Sequence, residues 1–185
     1  TFSTVTLSNS SSQAIPVTLQ DGTLNAGFHT NTVSGAIFAQ GRTQRDGIPA
    51  LLGGGFIYGQ GPHTVNSLPD YDINLVFPGV ANDDSYTFTT AMPGYLNVHS
   101  GLGKTVDVPG GDVSLPPLGL LGGDAVADNA IDTADLDAIR DAFNALGSGM
   151  AADINQDGVV DVRDLALAAG NFGLTSADAY AGWSP

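Results

Sequence analysis

Residues 153 to 164 read Asp153-Ile154-Asn155-Gln156-Asp157-Gly158-Val159-Val160-Asp161-Val162-Arg163-Asp164. Counted from Asp153, oxygen-bearing side chains fall at positions 1, 3, 5, 9 and 12, and a glycine stands at position 6. A calcium ion takes six to eight hard oxygen ligands at about 2.3–2.6 Å, and alternate residues of a tight loop can all aim inward, with position 7 offering its backbone carbonyl. The pattern therefore predicts a cation loop held by Asp153, Asn155, Asp157, the Val159 carbonyl, Asp161 and Asp164, with Gly158 supplying the turn. Four carboxylates within one short loop repel each other, so a divalent cation converts a costly arrangement into a stabilising one.

A second copy stands upstream. Asp124, Asp128, Ile131, Asp132, Asp135, Leu136 and Phe143 each lie 29 residues before Asp153, Asp157, Val160, Asp161, Asp164, Leu165 and Phe172. The ligands expected there are Asp124, Asp128, the Ala130 carbonyl, Asp132 and Asp135. Position 3 is Val126, which has no side-chain donor, and position 6 is Asn129, the best non-glycine occupant of a left-handed turn. This first site is expected to be the weaker of two calcium sites. A helix is predicted after each loop: Leu136, Ile139, Phe143 and Leu146 form one apolar stripe, and Leu165, Ala168, Ala169 and Phe172 form the other. Phe143 and Phe172 are thereby expected to pack in the core.

This unit, from about Leu120 to Phe172, resembles the type I dockerin domain, with Gly123-Asp124 opening one segment and Ala152-Asp153-Ile154-Asn155-Gln156-Asp157-Gly158 the other. Asp at position 12 and a single helix per loop carry the likeness, since ordinary EF-hand pairs use Glu there. The resemblance implies a small three-helix module that binds two Ca²⁺ and docks onto a cohesin domain, often joining enzymes to a scaffold. It also implies docking contacts at loop positions 10 and 11, here Thr133 and Ala134 in one repeat and Val162 and Arg163 in the other. The family's usual Ser/Thr pair is missing from the second repeat.

The chain has 185 residues, 42% of them hydrophobic, with 25 glycines and 10 prolines, which suits one or two loop-rich, β-containing domains. All 19 acidic residues are Asp, against 5 Lys and Arg, for a net charge of -14. So few cations cannot track a phosphate backbone, and nucleic acid is excluded as a partner. Cysteine is absent, and no apolar run approaches the ~18 residues of a membrane span. Calcium loops of this kind suit the millimolar calcium found outside cells, so an extracellular or cell-surface setting of bacterial type is expected. The start at Thr1 suggests a processed secreted form or a domain of a longer protein.

Between Thr32 and Pro117 short β-like runs alternate with Gly, Pro, Asn and Asp punctuation: Val33 to Gln40, Ile48 to Tyr58, Tyr71 to Phe77, Ser85 to Thr90, Tyr95 to His99, Thr105 to Val108 and Val113 to Leu115. Strands at this spacing predict a β-sandwich. The runs Val33-Ser34-Gly35-Ala36-Ile37, Gly47-Ile48, Asp84-Ser85-Tyr86-Thr87-Phe88 and Pro93-Gly94-Tyr95-Leu96 are similar to the carboxypeptidase-regulatory or collagen-adhesin B-type domain. That resemblance implies an Ig/transthyretin-like sandwich used as a stalk, spacer or adhesion module. Gly53-Gly54-Gly55 is expected to mark a bulge or a close backbone approach, and Pro116-Pro117-Leu118 a short stiff hinge. Trp183 is expected to close over the Leu118 to Leu121 entry segment or to face a partner.

Residues 1–31 hold two further strand-like runs, Phe2 to Leu7 and Ala14 to Gln20, which either pair with their own sandwich or insert into a neighbouring copy. Asn9-Ser10-Ser11 matches a glycan-acceptor pattern. The histidines His29, His63 and His99 show no metal spacing, and Gly101 to Thr105 lacks the first glycine and the helix of a phosphate loop. Taken together, the sequence predicts a mainly β protein with a small α module: an N-terminal strand extension (1–31), a β-sandwich (32–117) and a dockerin-like calcium domain (118–185). The function expected is a secreted, non-catalytic, calcium-binding assembly protein, a fibre or surface subunit built head to tail by strand donation. The alternative is the anchoring region of a larger enzyme that docks onto a cohesin-like receptor. Its partners are then copies of itself or a cohesin-like protein, with possible glycans.

Overall fold

The computed structural model describes residues 4–8, 14–18, 31–42, 48–57, 60–66, 74–80, 84–147 and 149–185. Twelve strands, three α-helices and one 3-10 helix (Ser100–Leu102) are defined among them. The first sheet is organised around β3 (Asn31–Ala39), which pairs antiparallel with β6 (Asn74–Val80) on one side. On its other side β3 runs parallel to β10 (Val113–Ser114) and then to β11 (Leu118–Leu120). The second sheet has the order β5-β4-β7-β9, formed by β5 (Gln60–Asn66), β4 (Ala50–Ile57), β7 (Asp84–Thr90) and β9 (Thr105–Val108), and all its pairings are antiparallel.

Period-two burial explains why the sheets face each other. Tyr86, Phe88 and Thr90 on β7 are buried between half-buried or exposed neighbours, as are Val106 and Val108 on β9 between exposed ones. From β3 and β6 come Val33, Ile37 and Phe77. Phe77 meets Phe88 edge to face, with centroids 6.2 Å apart and planes at 81°, which closes the gap between the sheets. The expected bulge falls at the glycine triplet, where the β4–β5 register shifts between Gly53 and Gly55.

Two strands at the N-terminus, β1 (Thr4–Ser8) and β2 (Ala14–Thr18), form an antiparallel two-stranded sheet, with Thr4 opposite Thr18 and Ser8 opposite Ala14. Among the described residues they pair with each other and with no strand of the sandwich. The glycan-acceptor triplet at 9–11 and His29 lie outside the described residues.

The segment expected to hinge at Pro116-Pro117 is instead woven into the first sheet, since β10 precedes it, β11 follows it, and both pair with β3. The Leu115 amide donates to the Ser34 carbonyl at 2.7 Å and the Gln40 amide to the Leu120 carbonyl at 3.0 Å. Beyond it, β12 (Gly122–Asp124) pairs antiparallel with β8 (Gly94–Tyr95). Three helices follow: α1 (Thr133–Asp141), α2 (Val162–Gly170) and the short α3 (Ser176–Ala179). None is long and apolar enough to cross a membrane among the described residues.

One buried cluster runs from the sandwich residues Leu52 and Phe88 through Tyr95, Leu96 and Leu120 to Ile131, Ile139, Ile154 and Ala168 of the helical part. Contact there is close: a Cβ on Gly123 would stand 2.8 Å from the Ala168 Cα, and one on Gly122 would stand 2.6 Å from Ile154 Cγ2. Phe143 and Phe172 do not join this core, being 45% and 50% exposed. The helices end at Asp141 and Gly170, so the helical period that placed these rings inward is broken before it reaches them. Leu146, placed on the same stripe, is also exposed.

Candidate functional site

The two predicted loops fold alike, with matching amide-to-carboxylate bonds at the 29-residue spacing. At position 1, Asp124 accepts the amides of Asp128 and Asn129, each at 3.0 Å, and Asp153 accepts those of Asp157 and Gly158 at 3.2 and 3.0 Å. At position 5, Asp128 accepts from the Ala130 amide at 3.0 Å and Asp157 from the Val159 amide at 3.2 Å. At position 12, Asp135 accepts from Val126 and Asp132 at 3.0 and 2.8 Å, and Asp164 from Asn155 and Asp161 at 3.1 and 2.8 Å. At position 9, Asp132 and Asp161 accept the amides of Ala134 and Arg163, both at 2.7 Å.

The acids at positions 9 and 12 do a second job. They form the capping boxes of α1 and α2, Asp132 with Asp135 and Asp161 with Asp164, so the loop's last two ligand positions also fix where each helix starts. Asp carries this out where the usual box has Glu. Thr175 and Asp178 repeat the device at α3.

The repeats also exchange backbone bonds reciprocally. The Asn144 amide donates to the Val160 carbonyl and the Gly173 amide to the Ile131 carbonyl, at 2.9 and 2.8 Å; Val160 donates to Ala145 at 3.1 Å and Ile131 to Leu174 at 2.9 Å. Position 7 of each loop forms a β-bridge with the exit of the other repeat's helix: Ala130 with Thr175, and Val159 with Leu146. Every bond in this set maps onto another by adding or subtracting 29 residues, so the two halves are related by an approximate dyad and neither loop is held by its own repeat alone.

Charge inside this unit is one-sided. Asp124, Asp135, Asp153 and Asp164 are all buried to within 1% of full coverage. Burial pushes the carboxyls of Asp124 and Asp153 above the usual range, backbone amides pull the other way, and acidic neighbours push again. Arg163 reaches Asp157 at 2.6 Å and Asp161 at 2.7 Å, and its hydrogen bonds hold Asp161 below the usual range. The first loop has no such basic partner among the described residues. No group of three or more His, Cys, Asp or Glu side chains is gathered as a cation cage among the described residues, because the carboxylate oxygens are turned onto loop amides. The donor chemistry nonetheless fits a hard cation: buried carboxylates, an amide and a carbonyl in a loop whose Gly158 and Asn129 adopt the left-handed turn, with φ of 92° and 66°.

The sandwich grips both loops. The Tyr95 hydroxyl lies 2.8 Å from the carbonyls of Gln40 and of Ile154, position 2 of the second loop. Arg42 donates to the Gln156 side chain at 2.6 Å, and Asn171 donates to the Gln40 side chain and the Gly122 carbonyl at 2.5 and 2.7 Å. Tyr180 donates to the Leu96 carbonyl at 2.6 Å. Trp183, expected over the Leu118 to Leu121 segment, packs on the sandwich: its ring lies 5.0 Å from that of Phe88, and its indole N–H donates to the Pro116 carbonyl at 3.2 Å. The docking positions Thr133, Ala134, Val162 and Arg163 are all exposed. Beside Arg163, Gln40, Gly41, Asn155, Ala166 and Leu167 line a cleft of about 360 Å³ between sandwich and α2. Pattern reading missed the clamping role of Tyr95, Arg42 and Asn171.

No family model matches the sequence, and no curated protein matches it. Among solved structures, the chain is similar to one in the crystal structure of a C-terminal interface mutant of a type II cohesin–X-dockerin complex from Acetivibrio cellulolyticus. That match has a TM-score of 0.59 at 23% identity and covers 80% of this chain and 99% of that one. The N-terminal interface mutant of the same complex gives 0.58 at 22% identity, with the same coverage. The likeness is one of fold: a mainly β chain built on a sandwich.

Proposed function

We propose that the chain is a non-catalytic assembly protein whose dockerin-like part (118–185), folded around two calcium ions and clamped to a β-sandwich (32–117), docks onto a cohesin-like protein outside the cell. The observation that carries this reading is the dyad-related pair of loop–helix repeats fixed to the sandwich. The similar complexes are named for a cohesin and an X-dockerin, and the loop–helix repeats suit the dockerin side of such a pair. Asp153, Asn155, Asp157, Asp161, Asp164 and the Val159 carbonyl would hold one ion. Asp124, Asp128, Asp132, Asp135 and the Ala130 carbonyl would hold the other, more weakly. The ion supplies positive charge that offsets the buried acids and so orders both helices. Exposed apolar residues on this part, Val162, Phe172, Phe143 and Leu146, suit a protein partner.

A second reading, head-to-tail self-assembly through residues 1–31, is supported by the β1–β2 pair. Each of its strands has one edge not paired with another strand among the described residues, and an isolated hairpin gains stability from a further strand. One experiment tests both. Titration calorimetry of the full chain with calcium, followed by sizing with and without chelator and with a type II cohesin, is expected to show two ions bound and a calcium-dependent heterocomplex. Large homo-oligomers would favour the second reading, and a chain that binds no calcium would refute the first.

A further inference from the structure

We infer that Asn129 is a positioning residue through which the sandwich and α3 hold the first calcium loop in its binding turn, in place of the order that the missing position-3 ligand would give. This rests on the calcium reading above. At position 6 the second repeat has Gly158, with φ +92° and nothing within 4 Å of where a Cβ would stand. The first repeat has Asn129 at φ 66°, a conformation that costs asparagine more than glycine. Their backbone bonds are the same. Asn129 donates to Asp124 at 3.0 Å and accepts from the Ser176 amide at 3.0 Å; Gly158 donates to Asp153 at 3.0 Å and accepts from the Gly147 amide at 3.1 Å.

What differs is the side chain. The Asn129 Oδ1 accepts the Asn97 backbone amide and the Ser176 hydroxyl, each at 3.1 Å. Ser176 is buried at the start of α3, and the Asn97 side chain accepts the Met92 amide at 3.0 Å, so both donors stand on fixed supports. One carbonyl oxygen thus ties the turn that aims Asp124 to the sandwich on one side and to the third helix on the other. The second loop takes its ties at positions 2 and 4, through Tyr95 to Ile154 and Arg42 to Gln156. The first loop has Val126 at position 3 and is anchored at position 6 instead.

The sign of a glycine substitution separates this role from a passive one. Were the Asn129 side chain without function, Asn129→Gly would relieve the left-handed backbone and leave calcium binding equal or tighter. With both side-chain bonds lost, the weaker site is expected to bind calcium about 3- to 30-fold more weakly. Asn129→Asp keeps the acceptor and the tolerance of the turn and is expected to retain binding, while Ser176→Ala shows a smaller loss. Titration calorimetry of the full chain measures this, and amide exchange by NMR reads the tie directly: the Asn97 amide is expected to exchange faster in Asn129→Gly but not in Asn129→Asp. Two sites of unchanged or tighter affinity in Asn129→Gly overturn the inference alone, whereas a wild-type chain that binds no calcium overturns the underlying reading and the inference with it.

Discussion

Replacing Tyr95 by phenylalanine removes one hydroxyl and keeps the buried ring. That hydroxyl shares its single proton between the carbonyls of Gln40 and Ile154, each 2.8 Å away, so its loss leaves two acceptors at a buried seam. A hydrogen bond contributes about 1 kcal/mol net, and an acceptor stranded away from water costs about 1–3 kcal/mol, so a loss of roughly 2 kcal/mol is expected. For a chain of this size each kcal/mol moves Tm by about 2–4 °C, which gives a fall of about 4–8 °C by calorimetry. Tyr180→Phe is the matched control, removing a hydroxyl that donates to the Leu96 carbonyl at 2.6 Å. Both variants should lose stability. Only Tyr95 touches a loop, so calcium affinity at the stronger site should fall about 3- to 10-fold in Tyr95→Phe and hold in Tyr180→Phe. A Tyr95→Phe chain that melts with the wild type and binds calcium as tightly would refute the claim that this hydroxyl anchors the second loop.

Burial pushes the Tyr180 phenol up to about 12 and also raises Tyr95. A raised phenol stabilises the fold fully below the unfolded value of about 10 and loses that contribution as pH climbs through the folded value, so tyrosinate absorbance from these two residues should appear only with alkaline unfolding and be missing from the double phenylalanine variant. Gly123→Ala would press a Cβ to within 2.8 Å of the Ala168 Cα at φ +135° and should cost roughly 3 kcal/mol in urea titrations. Gly147→Ala, at φ +146° with nothing within 4 Å, should cost only the backbone strain, about 1–2 kcal/mol. Because Trp183 of the tail lies on Phe88 of the sandwich, its emission and the helical circular dichroism should follow one unfolding transition; two separated transitions would show that the parts melt independently.

The loops were legible because their geometry is local. Asp124, Asp135, Asp153 and Asp164 find their amide partners within nine residues, and the turn residues and caps announce themselves at fixed offsets. β7 and β9 were legible for the same reason, through alternation, whereas the run expected from Tyr95 to His99 forms only the end of the two-residue β8 and a single bridge at Val98. What the sequence hid is made over long distances. β11 looks like a glycine-rich linker, Leu118-Gly119-Leu120, until it is set beside β3, with Leu118 opposite Ile37. β5 holds Gly61 and Pro62 and lacks a β-forming signature. Phe143 and Phe172 kept a helical period that the helices themselves did not. The clamping role of Tyr95, Arg42 and Asn171 carries no pattern, because a single hydrogen bond across two folded parts leaves none.

The parallel pairing of β3 with β10 and β11 has a mechanical side. Strand β3 opens the sandwich at Asn31, and β11 leaves it at Leu120, pointing the same way along the sheet. Tension applied at Asn31 and at Leu120 would therefore drag these strands past each other lengthwise, in shear, and load their inter-strand bonds together instead of peeling them open one after another. A sheet yields least when it is pulled in that direction.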